Sequence, residues 1–200
     1  MTRILILIFG YLSITGCSHT FSSTELKNHF TAAEIRDLHR LTDFFQEQMC
    51  NDKGDFKSCM DSLIPYLGEY GWQPILENVN FKKQKSLYES FESNVFNEIW
   101  NICKSRNPRE GWERKSLCLN SAGKYVSFLE AVGKRNGVLE AYKDDLLSAG
   151  DFYGIQRIEY EVFQKTDRID LSDPSIQVLI AVDYLTQNDQ QKRMEPWTEN

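Results

Sequence analysis

The chain has 200 residues, 26% of them charged and 12% aromatic, with a formal net charge of −6. That balance, with both signs interspersed, gives no basic footprint for nucleic acid and argues against the body lying on an anionic lipid surface. The length suits one domain with a sizeable core, and aromatics spread along the chain speak against disorder.

Met1-Thr2-Arg3 leads into an almost wholly apolar run from Ile4 to Ile14, followed by Thr15-Gly16-Cys17. One basic residue, a short hydrophobic run and small residues at its end have the form of an export signal over residues 1–16. A spanning helix needs ~20 apolar residues, more than this run supplies. Ile14-Thr15-Gly16-Cys17 resembles the lipobox of bacterial lipoproteins. The resemblance implies cleavage before Cys17 and acylation of its thiol, with several buried chains giving durable anchoring. By the sorting pattern of that family, Ser18 after the cysteine implies the outer membrane, and the absence of an acidic cluster there implies a periplasm-facing protein.

Residues 17–29 are polar and Ser/Thr-rich and are expected to form a flexible tether. Thr31-Ala32-Ala33-Glu34 is a capping box with a Phe30–Ile35 staple, opening a helix whose stripe of Ile35, Leu38, Leu41, Phe45 and Met49 ends at Cys50. A second helix is expected from Asp55 to about Tyr70, kinked or split at Pro65. Gly68, Gly71 and Pro74 then break the chain into an irregular stretch up to Phe81. Leu87, Tyr88, Phe91, Val95, Ile99 and Ile102 predict a long helix from about Lys83 to Cys103, stopped by Asn107-Pro108. A fourth helix is expected from about Glu113 to Lys134 and a fifth from Val138 to Ala149. The stretch Phe152–Phe163 is read as helical with some strand character. Asp173-Pro174 caps a last helix that is apolar nearly all round through Leu185, which predicts the central buried helix. The polar end after Gln187 is expected to fray, with residues 191–200 as a tail. The expectation is an all-α fold, a single irregular multi-helix bundle over residues 30–190. Ala149-Gly150-Asp151, Tyr184-Leu185-Thr186 and Asn188-Asp189-Gln190 resemble uncharacterised helical bacterial lipoproteins, which implies no activity.

Four cysteines follow Cys17, and an even number in an oxidising compartment predicts two disulfides. Of three connectivities, the local pairs Cys50–Cys59 and Cys103–Cys118 are favoured, because each brackets a polar, turn-forming stretch. Each would join the ends of two neighbouring helices. Close C-x₂-C pairs of a zinc site are absent.

Chemistry is sparse. The sequence contains no G-x-S-x-G, H-E-x-x-H or P-loop motif. His39 has Asp43 one turn on, an ordinary charge pair on a helix flank, while His19 and His29 fall in or beside the tether. Asp167, Asp170 and Asp173 lack the order of an EF-hand, as does Asn51-Asp52-Lys53-Gly54-Asp55. Asp144, Asp145, Glu159 and Glu161 have the residue types of a glycosidase acid and base. Trp72 and Trp112 stand in connections, with Tyr66 and Tyr70 near the first, and aromatics on loops can form a binding face. Trp197 has no evident core role. The expectation is a lipid-anchored envelope protein with a binding or structural role, joined to the membrane through Cys17 and to a protein partner through a surface near Trp72 and Trp112. No cofactor or metal is expected. The alternative is a carboxylate-based hydrolase acting on peptidoglycan or another glycan.

Overall fold

The computed structural model describes residues 21–51, 54–152, 158 and 162–198. Cys17 and the signal-like segment, as well as Glu159 and Glu161, lie outside the described residues, as does most of the expected 152–163 helix. The element order is α1 (Thr24–His29), α2 (Ala32–Cys50), α3 (Phe56–Tyr70), α4 (Gln73–Asn78), α5 (Phe81–Glu89), α6 (Val95–Ile99), β1 (Trp100–Asn107), β2 (Trp112–Leu119), α7 (Lys124–Gly133), α8 (Gly137–Ala149), a 3₁₀ turn at Phe163–Arg168 and α9 (Pro174–Lys192). No helix among the described residues is long and apolar enough to cross a membrane.

The capping box that opens α2 forms in full: the Thr31 hydroxyl accepts from Glu34 N, and Glu34 Oε2 accepts from Thr31 N at 2.7 Å. α3 runs unbroken through Pro65. α9 is the central helix: Asp173 caps it, Pro174 occupies its first turn, and α1, α2, α4, α5 and β2 pack around it. Its Val178, Ile180, Ala181, Val182, Tyr184 and Leu185 are fully buried.

The fold is not all-α. An antiparallel hairpin of β1 and β2, with Cys103 opposite Ser116 and Trp100 opposite Leu119, interrupts what reads as two long helices. The apolar spacing from Leu87 to Ile102 is helical, but α2 takes hold of the chain between α5 and α6. Asp37 Oδ2 accepts from Ser93 N (2.9 Å) and Ser93 Oγ (2.7 Å), and Arg40 Nη1 donates to Ser90 O (2.9 Å). These bonds replace intrahelical ones and end α5 at Glu89. Beyond Ile99, the turn decides the pairing. Asn107 Oδ1 accepts from Arg109 N and Glu110 N, Gly111 N returns to Asn107 O at 2.9 Å, and Gly111 sits at φ +71°, which favours glycine. Such four-residue loops join paired strands.

Both disulfides are present, Cys50–Cys59 with Cα atoms 5.7 Å apart and Cys103–Cys118 at 5.9 Å. The first joins α2 to α3. The second staples two strands, not two helices, crossing the ladder diagonally between the Asn101–Cys118 and Cys103–Ser116 pairs.

Three smaller expectations are also corrected. The tether is helical from Thr24 to His29, with Leu26 fully buried. The irregular stretch after Trp72 contains α4, started by its proline. The C-terminal end does not fray as far as residue 198. Asn188 and Asp189 are completely buried, and the following segment lies along β2 through an isolated bridge of Pro196 to Arg114, with Lys115 N bonded to Glu195 O (2.8 Å) and Trp197 N to Glu113 O (3.2 Å).

Candidate functional site

The hairpin is held to the core at its root. Trp100 is fully buried and donates from Nε1 to Thr186 Oγ1 of α9 at 2.7 Å. Gln190 Nε2 of α9 donates to Leu117 O at 2.8 Å, and Asp151 Oδ1 accepts from Leu119 N at 3.1 Å. Burial pushes the Asp151 carboxyl above its ordinary range, and its bonds from Phe152 N and Leu119 N offset only part of that. With the disulfide across its middle, the hairpin is a rigid projection.

Its charge is opposite to that of the body. Residues 100–119 carry Lys104, Arg106, Arg109, Arg114 and Lys115 against Glu110 and Glu113, a net of +3 in a chain of −6, which leaves −9 for the rest. The disulfide face borders an open groove of about 480 Å³, floored by Cys103, Cys118 and Ser116 and flanked by Arg114, Trp112 and Gln190. Trp112 is half-buried at the start of β2. Its Nε1 donates to Glu110 Oε2 at 2.6 Å, and the Arg114 guanidinium lies 3.6 Å from its ring centroid. A rigid tryptophan stacked with an arginine is a composition typical of protein-binding hot spots.

The other candidate residues do not join this site. Trp72 is half-buried where α3 meets α4, and no ring contact connects it to Trp112 among the described residues. Near it, Tyr66 and Tyr70 are exposed, and their rings meet in a tilted contact with centroids 4.6 Å apart. Trp197 is half-buried on the segment beside β2. His39 is exposed, 3.2 Å from Asp43 and stacked on Phe21 at 4.3 Å, and His29 Nδ1 bonds the Ser127 hydroxyl. Asp144 and Asp145 are exposed on α8, with Lys143 Nζ 2.7 Å from Asp144. Asp170 bonds Ser172, Asp173 caps α9 and meets Arg135, and Asp55 caps α3. Among the described residues, no group of three His, Cys, Asp or Glu side chains is placed to hold a metal.

Sequence reasoning missed the polar stripe on the second half of α9. Asp183 accepts from Tyr142 Oη at 2.8 Å and from Gln187 Nε2. Asn188 Nδ2 donates to Gln84 Oε1, and Gln84 Nε2 donates to both Tyr88 Oη and Leu185 O. Asp189 takes a two-point bond from Arg193, at 2.7 and 2.6 Å. Read linearly, Thr186 to Gln191 is a polar helix end. The available signal was the number of buried tyrosines and tryptophans, whose polar atoms need partners inside the core.

The two ends of α9 meet different parts of the chain. The first turn of α9 meets the N-terminal entry, where the hydroxyls of Ser23 and Ser175 lie 2.6 Å apart. Fifteen residues on, Gln190 holds the hairpin. At the rise of an α-helix that is a separation of about 22 Å. The described chain therefore enters at one pole, and the cationic hairpin projects at the other. Set against protein-family models, curated proteins and solved structures, the chain matches none of them.

Proposed function

We propose that this is a lipid-anchored, periplasm-facing protein of the outer membrane with a binding role in the envelope, and that the hairpin is its binding surface. The observation that carries the reading is the placement of a stapled, cationic, Trp/Arg-bearing hairpin about 22 Å along α9 from the entry of the anchored end. An anchor at the entry pole would leave the opposite pole facing away from the membrane. The lipobox-like Ile14-Thr15-Gly16-Cys17 and the two disulfides support the compartment. The hydrolase alternative gains nothing from Asp144 and Asp145, which are exposed on a helix face rather than converging in a cleft.

The test is site-specific photo-crosslinking in intact cells. A photoreactive residue at Pro108, in the hairpin turn, should give a discrete envelope adduct, and one at Glu77 on α4 should not. Cys17→Ser should leave unprocessed or soluble protein and weaken the adduct. Equal labelling at the two positions removes the hairpin assignment. Membrane retention of the Cys17→Ser protein at the parental level removes the anchor.

A further inference from the structure

The two outer edges of the hairpin differ. On β2, the outward backbone groups of Glu113 and Lys115 pair with Trp197 and Glu195 of the chain's own end. Residues of an antiparallel pair alternate between those that bond each other and those whose N–H and C=O point outward. Arg106 lies opposite Glu113, Lys104 opposite Lys115 and Ile102 opposite Leu117, so Ile102, Lys104 and Arg106 are the outward residues of β1. All three are exposed, and β1 pairs with no described strand except β2. An open edge of this kind is a template for another strand.

Side-chain chemistry along that edge runs from apolar to cationic. Ile102 borders a hollow of about 250 Å³ with Phe96 and Tyr88. Toward the turn, Arg106 and Arg109 are exposed and form no ion pair with a described residue. The segment after α9 shows which occupant the hairpin accepts: on β2 it is an extended peptide whose Glu195 carboxylate is held by Lys85 and Arg193. Guanidinium groups match carboxylates in two-point geometry, and extended peptides commonly gain affinity by adding to a sheet edge.

We propose that the edge of β1 that pairs with no described strand binds an extended acidic segment of a protein partner as an added strand, with carboxylates against Arg106 and Arg109 and an apolar side chain beside Ile102. The proposal rests on the hairpin being the binding surface and adds the chemistry of the partner. A polyanionic glycan would meet the same cations but has no backbone to pair with the edge, which is why a polypeptide is favoured.

The probe is a synthetic peptide of pattern Glu-Thr-Glu-Thr-Val, titrated into the full-length, oxidised protein. Saturable binding is expected, with slowed amide exchange at Ile102 and Arg106. Affinity should fall about tenfold or more in the Arg106→Glu, Arg109→Glu double variant, by loss and reversal of charge at the contact. Both side chains are exposed, so an unchanged melting temperature verifies the fold of that variant. It should fall as far for a peptide N-methylated at alternate amides, since strand pairing needs those donors. Undiminished binding of the N-methylated peptide, or equal competition by a carboxylated oligosaccharide without exchange protection, overturns the strand-addition proposal. Absence of peptide binding while the Pro108 adduct persists also overturns it and leaves the hairpin as a binding surface. Loss of that adduct removes both readings.

Discussion

Asp37 shows how one side chain redirects the chain. It is buried on α2 and closes the gap between α5 and α6 by accepting from Ser93 and Arg40. Burial alone would raise its pKa, but those hydrogen bonds outweigh burial and hold the carboxyl below its ordinary range. Glu34 behaves alike: burial is outweighed by bonds from Lys124 and Thr31. A carboxyl with a folded pKa below its unfolded one contributes stability above the unfolded value, roughly pH 4, and loses it as pH falls through the folded value. The melting temperature should therefore drop on acidification below about pH 4. Asp37→Ala should cost about 2 kcal/mol at neutral pH and flatten that acid limb. Thermal melts of both proteins across pH check this, and parallel pH profiles would remove Asp37 from the account.

At the scale of elements, the hairpin depends on covalent and turn chemistry more than on its own core. It has two strands, and isolated two-stranded hairpins are marginal. Trp100, Leu117 and Leu119 bury its root, while toward the turn its residues are half-buried or exposed. The bridge spans a sequence separation of 15, for which the loop-entropy model gives about 3 kcal/mol. Replacing Cys103 and Cys118 by alanine should lower stability by about 2–4 kcal/mol. Amide protection should be lost first in the outer half of the hairpin, while α2 and α9 keep theirs. Exchange measurements decide the point, and uniform loss across α9 would mean the hairpin is integral to the core. α7 starts under a similar geometric demand. A Cβ on Gly123 would sit 2.2 Å from the Glu98 carbonyl oxygen, so only glycine lets α7 begin against the end of α6.

Across the whole molecule, the second half of α9 and the residues after it lock the structure together. Arg193 is 8% exposed and Asp189 is fully buried, and their two-point bond joins α9 to the segment that lies along β2. Arg193 also reaches Glu195, which pairs with Lys85 of α5. Removing one partner of a buried pair leaves an uncompensated charge, so Arg193→Ala should cost about 3–5 kcal/mol and release the segment along β2. Replacing both members, Asp189→Leu with Arg193→Met, should cost clearly less, because no orphaned charge remains. Denaturant melts of the two variants test the pair. Equal losses would mean the contribution is packing alone.

Much of this protein was decided locally and is legible in its residues. The Thr31–Glu34 capping box, the Asp173-Pro174 start of α9 and the apolar stripe of α2 act within a few residues, and they form as their chemistry dictates. The two disulfide pairings are legible too, because each pair brackets a polar, turn-forming stretch of sequence. What the tertiary structure alone decided is where helical periodicity stops. Leu87 to Ile102 keeps a helical spacing, yet Asp37 and Arg40, about fifty residues earlier in the chain, break it through bonds to Ser93 and Ser90. Strand pairing after Ile99 likewise needed the Asn107–Gly111 turn and a buried partner for Trp100 on α9. The polar residues from Thr186 to Asp189 resemble a solvated end until Trp100, Gln84 and Arg193 arrive as partners for Thr186, Asn188 and Asp189. Local rules act through neighbouring residues, whereas these outcomes depend on which distant donor meets which buried acceptor, and that pairing exists only once the chain has packed.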